Sequence, residues 1–150
     1  MGQGSLIEEE LSRSLIGAFY EVYNELGYGH SESVHAKGLY RELKSRGHSV
    51  ACEKSFSIDY KGEFLCRERL DMVVDDKLII EIKSTEVLPP TAVRQLQNYL
   101  RCTEFEIGLL LHFGPEPRFY RRFLPNSQKK IKADKNKTQK NTALSDVERI

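Results

Sequence analysis

The sequence predicts one mixed α/β domain with its elements in the order ααβββαβ(β), the last strand being optional. Three observations predict it. Apolar residues recur at helical spacing in the first third of the chain, short apolar runs separated by turn residues follow, and a Pro-Pro-Thr sequence opens another amphipathic stretch before a last apolar run. With 150 residues, of which 39% are hydrophobic, the chain is long enough to bury one core.

The first two elements are helices. Residues 7–26 place apolar side chains on one face and charges on the other, and a Gly-Tyr-Gly sequence ends the helix. The second helix is predicted over residues 31–46, with Val34, Leu39 and Leu43 facing the core and a glycine after its last turn.

Strand signals fill the middle of the chain. Runs rich in β-branched and aromatic residues are separated by Lys-Gly and Asp-Asp-Lys turns, and two prolines mark the start of a third helix. In chain order, the predicted elements are strands over 50–60, 64–74 and 78–83, a helix from residue 90 or 91 to residue 102, and strands over 107–113 and 118–124.

Composition and charge exclude several classes of protein. No apolar run approaches the roughly 18 to 20 residues of a membrane helix, the N-terminus lacks a secretory signal, and the three cysteines lack zinc-ligand spacing. A cytoplasmic protein without a membrane partner is therefore expected. From Pro125 onward seven Lys and Arg face three acids, so residues 125–150 carry +4 and residues 1–124 carry −3. The sequence predicts a folded domain over 1–124 and a polar, Lys-rich, disordered tail over 125–150.

Two acids and a lysine interrupt the apolar residues of the central hairpin. If residues 75–77 form a three-residue loop, Asp71 lies opposite Glu81 and Arg69 opposite Lys83, all on one face of the sheet. The Cβ atoms of the two acids would then lie about 4.5–5.5 Å apart. Opposed like charges destabilise a sheet and need compensation, which a divalent metal ion between the carboxylates would supply. Two alternatives stay open: a solvated ladder in which the basic residues neutralise the acids, and a two-residue turn, which undoes the pairing.

The order strand, Asp71, hairpin, strand, Glu81-Ile82-Lys83 and helix resembles the PD-(D/E)XK nuclease superfamily. In the following helix, Gln95 and Tyr99 are similar to the Gln-xxx-Tyr motif of its exonuclease branch. The similarity covers residues 8–124 and implies a restriction-endonuclease-like core, in which helices flank a central mixed sheet.

Within the superfamily, the chain resembles the small proteins named for a GxxExxY motif. Residues 29–35 match this motif with His35 in place of the tyrosine, and Leu70 stands where the superfamily has a proline. Glu32 and His35 also match the spacing of a di-iron carboxylate helix, but that fold needs two such pairs and only one is evident.

The resemblance implies a metal site. Asp71 and Glu81 would bind Mg²⁺ or Mn²⁺ with the Ile82 carbonyl as a third ligand. Glu32 would complete the metal shell directly or through water. Lys83 would orient the attacking water or stabilise the charge that builds up on phosphorus.

The remaining candidate residues support this site. Gln95 would position the lysine, water or substrate, and Tyr99 would support the helix against the sheet. His35 would serve as a packing and hydrogen-bonding residue or, if it replaces a tyrosine that touches substrate, weaken activity. Arg69 is a candidate for support or substrate binding.

The function implied is a metal-dependent nuclease that hydrolyses phosphodiester bonds, with DNA expected as the substrate before RNA. The alternative is a non-catalytic scaffold that binds nucleic acid or protein and retains the nuclease fold. A homodimer is compatible with either function, because small nucleases of this type often pair to cut two strands.

Overall fold

The computed structural model describes residues 3–129, with side chains from residue 8 onward. Most of the predicted tail, residues 130–150, therefore lies outside the described residues. The elements are α1 (Gln3–Leu26), α2 (Glu32–Ser45), β1 (Val50–Tyr60), β2 (Glu63–Val74), β3 (Leu78–Lys83), α3 (Ala92–Cys102), β4 (Ile107–Phe113), β5 (Pro117–Phe123) and a 3₁₀ turn (Asn126–Gln128).

The strands form one five-stranded sheet in the order β1-β2-β3-β4-β5. All neighbouring pairs are antiparallel except β3 and β4, which are parallel. Parallel neighbours need a crossover connection, and α3 supplies it. The predicted class, a mixed sheet flanked by helices in the order ααβββαβ(β), is confirmed, and the optional last strand is present as β5. No helix in the described part of the chain is long and apolar enough to cross a membrane.

Helices cover both faces of the sheet and divide the core in two. The cluster between the sheet and α1 and α2 contains Leu15, Phe19, Leu39, Met72, Ile80 and Phe113 among its buried residues. The cluster between the sheet and α3 contains Leu70, Val73, Ile79, Leu96, Tyr99 and Leu110.

One predicted core position in α2 is wrong. Val34 is 39% exposed, whereas His35 is fully buried beside Leu39 and Leu43. These three buried residues are each four positions apart, which is the spacing of one helix face. Val34 was predicted to face the core because valine is apolar, whereas the buried face of α2 begins one residue later, at His35.

The hairpin between β2 and β3 has the predicted three-residue loop. Val74 pairs with Leu78, Val73 with Ile79 and Met72 with Ile80. Asp75 and Asp76 have φ values of 52° and 56°, a left-handed conformation that aspartate tolerates better than most residues.

A hydrogen-bonded chain fastens this hairpin turn to α1. The Oγ atom of Ser14 lies 2.7 Å from Nε2 of His48, whose Nδ1 atom lies 2.7 Å from Oδ2 of Asp75. This order resembles a serine hydrolase triad. However, Ser14 lies inside α1, where backbone N–H groups are used in helix bonds and supply no oxyanion hole. These two hydrogen bonds therefore have a structural role, which is to tie the hairpin turn to α1.

We expect His48→Ala to lower the free energy of unfolding by about 1–3 kcal/mol, because it leaves two partly buried partners without a hydrogen bond. Asp75→Asn and the double variant complete a double-mutant cycle measured by urea unfolding. A coupling energy near zero would contradict the tie. Arg118→Ala, which removes a solvent-exposed ion pair, is the control that should change stability little.

Candidate active and metal site

The ladder between β2 and β3 stops one pair before the two predicted acids. Its last pair is Met72 and Ile80. At the next position, side chains replace the backbone partners. The Ile82 N–H donates to Oδ2 of Asp71 at 2.8 Å, and the Asp71 N–H donates to Oε1 of Glu81 at 3.2 Å. The structure thus brings the two acids together, but in a gap between strands rather than as a regular cross-strand pair.

The predicted pairing of Arg69 with Lys83 is wrong. The β2–β3 ladder ends at Met72 and does not reach Arg69, whose side chain is exposed and whose ladder partner is Ser55 of β1. The reason is a break in the alternation of side chains. Leu70 packs in the α3 cluster, while Met72, two residues later, packs against α1 and α2. A residue between them cannot keep a regular strand geometry.

The partner strand carries the matching distortion. Glu53 of β1, which has a φ value of 51°, stands between residues that pair with Leu70 and Met72 but has no partner of its own in the ladder. A non-glycine residue at this φ is uncommon in a strand. At Glu53 and Asp71 the alternation of side chains between the two faces shifts by one residue in both strands. Arg69 therefore does not lie on the face of the sheet that carries Glu81.

Burial and charge keep Glu81 protonated near neutral pH. Only 5% of its surface is exposed. Burial, followed by the negative charge of Asp71, raises its pKa to about 9. This arrangement contradicts a solvated charge ladder. It is the arrangement that a divalent cation relieves, because a cation between two carboxylates takes the place of the proton.

The residues present fit a magnesium-type ion. Such an ion is commonly held by one or two carboxylates together with water and substrate phosphate, and Asp71 and Glu81 supply the carboxylates. The N–H and C=O groups of one strand residue point to the same neighbouring strand. The Ile82 carbonyl therefore faces the same gap as its N–H group.

Glu32 lies at the first turn of α2 and lines the same groove as Asp71. Burial raises its pKa, the positive charge of Lys83 opposes this effect, and the negative charge of Asp71 adds to it. Residues 3–129 contain no group of three or more His, Cys, Asp or Glu side chains arranged to hold a metal ion.

The predicted helix pair is present on α3. The Gln95 side-chain amide donates to the Tyr99 hydroxyl at 2.9 Å, and the Tyr99 ring meets Phe56 of β1 edge-on. Burial and the charge of Glu81 raise the pKa of Tyr99 to about 12, so this hydroxyl stays neutral. Tyr99 thus joins α3 to the sheet behind the acids, and the Gln95 amide nitrogen is bonded to it.

His35 is a supporting residue. Its ring is fully buried and stacks on Phe113 at a centroid distance of 4.1 Å. Nε2 lies 2.9 Å from the Gly27 carbonyl, so it carries the proton and donates, and Nδ1 accepts from the Ser84 hydroxyl at 2.6 Å. Burial lowers the pKa of His35 and favours this neutral form. Because Ser84 follows Lys83, His35 holds the end of β3.

The sequence analysis missed His112, which acts in the same place. Its ring is 5% exposed, it pairs with Lys83 across the parallel strands, and its Nε2 atom lies 2.8 Å from the Thr85 carbonyl. A single histidine in an otherwise apolar strand was the available signal, since a buried ring nitrogen needs a partner. The two buried histidines, His35 and His112, anchor consecutive residues directly after Lys83.

The fold and this acid pair define a class of protein. A mixed sheet carries Asp71 and then Glu81-Ile82-Lys83 on adjacent strands, followed by a helix. The family model of the PD-(D/E)XK nuclease superfamily matches residues 9–123, and the chain belongs to that superfamily.

Two solved structures are similar to this chain, and the first of them supports the fold. The crystal structure of SSO0001 is 21% identical, with a TM-score of 0.51, and the match covers 88% of this chain and 70% of that one. An alkaline exonuclease (LHK-Exo) from Laribacter hongkongensis is 17% identical, with a TM-score of 0.43, and the match covers 76% of this chain and 64% of that one. A search of curated proteins finds no significant match.

Without divalent cations, we expect the free energy of unfolding to fall as the pH rises from about 5 to about 9. Folded Glu81 holds its proton up to about pH 9, whereas the unfolded residue loses it near 4.5, so over this range the unfolded state binds fewer protons. Glu81→Gln keeps the acceptor for the Asp71 N–H and cannot ionise, so it should flatten the dependence. Urea unfolding in EDTA tests this; equal slopes in the two proteins would contradict it.

His35→Phe is expected to lower the free energy of unfolding by about 1–3 kcal/mol, because it preserves the ring stack but removes both hydrogen bonds and leaves the Gly27 carbonyl unsatisfied. Denaturant unfolding measures the change. Tyr60→Phe, at an exposed position at the end of β1, is the control and should stay within about 0.5 kcal/mol. Equal losses in the two variants would show that His35 is not the anchor described above.

Proposed function

We propose that this protein is a metal-dependent nuclease that hydrolyses the phosphodiester bonds of DNA. The observation that carries the proposal is the buried carboxyl group of Glu81 held against Asp71. Among the described residues, neither acid forms an ion pair, and the positive charge of Lys83, which acts to lower the pKa of Glu81, does not overcome the effect of burial. A cation bound in function does so.

Each residue of the site has a defined role in this proposal. Asp71 and Glu81 hold Mg²⁺ or Mn²⁺, with the Ile82 carbonyl beside them and Glu32 acting directly or through water. When bound, such an ion polarises a phosphoryl oxygen and lowers the pKa of its water. Lys83, two residues after Glu81 on the same strand, places an ammonium group where negative charge develops on the phosphoryl oxygens.

The motifs support the finer assignments. Residues 29–35 match the GxxExxY pattern apart from His35, and the buried, hydrogen-bonded position of this histidine suits a supporting role. Gln95 and Tyr99 match the exonuclease-branch motif, which favours DNA over RNA. The non-catalytic scaffold is less well supported, because a scaffold gains nothing from burying two acids together.

Cleavage of end-labelled single-stranded, double-stranded, flapped and branched DNA, and of one RNA, tests the proposal in Mg²⁺, Mn²⁺ or EDTA. We expect cleavage that needs the metal and falls by at least about 100-fold in Lys83→Ala, because the lysine acts on the transition state. Asp71→Asn should behave likewise. Lys77→Ala, an exposed residue of the hairpin turn, should cleave normally.

Two results would contradict the proposed nuclease function. Cleavage that persists unchanged in Lys83→Ala would come from a contaminant. No cleavage of any substrate, together with no rise in melting temperature on adding Mn²⁺, would favour the scaffold, since a functional metal site stabilises the folded state on binding.

A further inference from the structure

A groove of about 770 Å³ runs between α2 and the strands β1 and β2, and Asp71 lies in its wall. It opens on the side of the sheet that α2 covers and reaches Asp71, whereas Glu81 is not among its lining residues. The groove is therefore continuous with the proposed metal site, and its lining indicates what kind of molecule enters.

The floor of the groove is largely apolar. Leu26, Ala36, Met72 and Ile82 contribute to it, and Tyr40 of α2, 38% exposed, stands at its side. A duplex presents charged sugar-phosphate on its outside and keeps its base faces stacked within. An unpaired strand exposes base faces, which pack on apolar surface and stack on tyrosine.

The charges of the groove are unevenly distributed. Glu32 and Glu53 line it next to Asp71, so negative charge is concentrated at the end where a metal ion is expected. Lys37 and Arg41 also line it, one helical turn apart on the same side of α2. By helix rise they lie about 7 Å and about 13 Å along the axis from Glu32.

Cations also stand on the strand side. Phe56 and Leu70 pack toward α3, so the alternation of side chains turns Arg69 and Arg67, which pair with serines of β1, toward the opposite face, where α2 lies. Both arginines are exposed. Positive side chains therefore line the groove on its helix side, and two arginines outside its lining lie on the same face of the sheet.

We propose that this α2 groove binds an unpaired nucleic-acid strand and leads it to Asp71. Tyr40 stacks on a base, Lys37 and Arg41 contact phosphates from the helix side, and Arg69 contacts them from the sheet side. The proposal rests on the proposed nuclease function and narrows it: the substrate is a single strand or the unpaired tail of a duplex, not an uninterrupted duplex.

Binding can be measured separately from cleavage. Fluorescence anisotropy with labelled oligothymidylate, and with the same strand paired to oligoadenylate, is recorded in EDTA and in Ca²⁺. Tyr40→Leu should weaken single-strand binding roughly five- to a hundredfold, the range for loss of one stacked base, and leave duplex binding unchanged. Tyr20→Leu is the matched control, because Tyr20 of α1 is 37% exposed, against 38% for Tyr40, and lies outside the groove.

The basic residues give a second readout. The double variant Lys37→Gln/Arg41→Gln should reduce the slope of log affinity against log salt by about 1.4, the value for two lost phosphate contacts on a single strand. Lys44→Gln, which changes an exposed lysine of α2 outside the groove, should leave the slope unchanged. Circular dichroism checks that each variant is folded.

The outcomes separate this proposal from the nuclease itself. If Tyr40→Leu and the double variant bind and cleave like the wild-type protein while Lys83→Ala is inactive, the groove does not bind the substrate strand. The proposed nuclease function is then still supported. If both variants lose single-strand binding but no substrate is cleaved in Mg²⁺ or Mn²⁺, the binding role of the groove is supported and the proposed nuclease function is contradicted. Absence of any single-strand binding, or equal losses for single strand and duplex, overturns the groove.

Discussion

Two reciprocal hydrogen bonds at Asp71 are the interaction on which the rest of the site depends. They hold β2 to β3 where the regular ladder has stopped, and they use side-chain oxygens in place of backbone carbonyls. On its other side β3 pairs with β4 along its whole length, from Leu78 to Lys83. The strand with Glu81 is therefore held by β4 along its whole length, while its regular ladder with β2 ends at Ile80, and the gap needed for two carboxylates opens without loss of the sheet.

The parts of the fold that follow local rules were predictable. The three-residue loop set the hairpin register, and the hydrophobic pattern placed β1, β3 and β4 at their observed bounds. The break in alternation at Asp71 was not predictable in this way. It depends on the backbone of Glu53, a residue of a different strand, and a period-two extrapolation carried Arg69 across a point where the period does not hold.

The burial and hydrogen-bond partners of His35 and His112 could not be predicted from neighbouring residues in the sequence, for a related reason. His35 is bonded to residues 8 and 49 positions away, so nothing near it in the chain shows that a polar ring belongs in the core while Val34 belongs outside. His112 likewise meets a carbonyl 27 positions away. The motif residues that carry charge could be found from their spacing, but the residues that hold them in place are visible only after α2 and β4 have packed.

The central position of β3 has a consequence for how the acid pair is lost when the protein unfolds. All of its residues except Lys83 are buried, and it has a strand on each side and a helix layer on each face. Opening free energies in a domain range from near zero at frayed ends to the full unfolding free energy in the core, and β3 belongs to the second kind. The edge strand β1, whose residues are mostly exposed, can open and close without disturbing Glu81. Opening of β1 therefore leaves Glu81 in place but removes the Glu53 backbone from beside Asp71, so the acid pair depends on an edge strand as well as on the core.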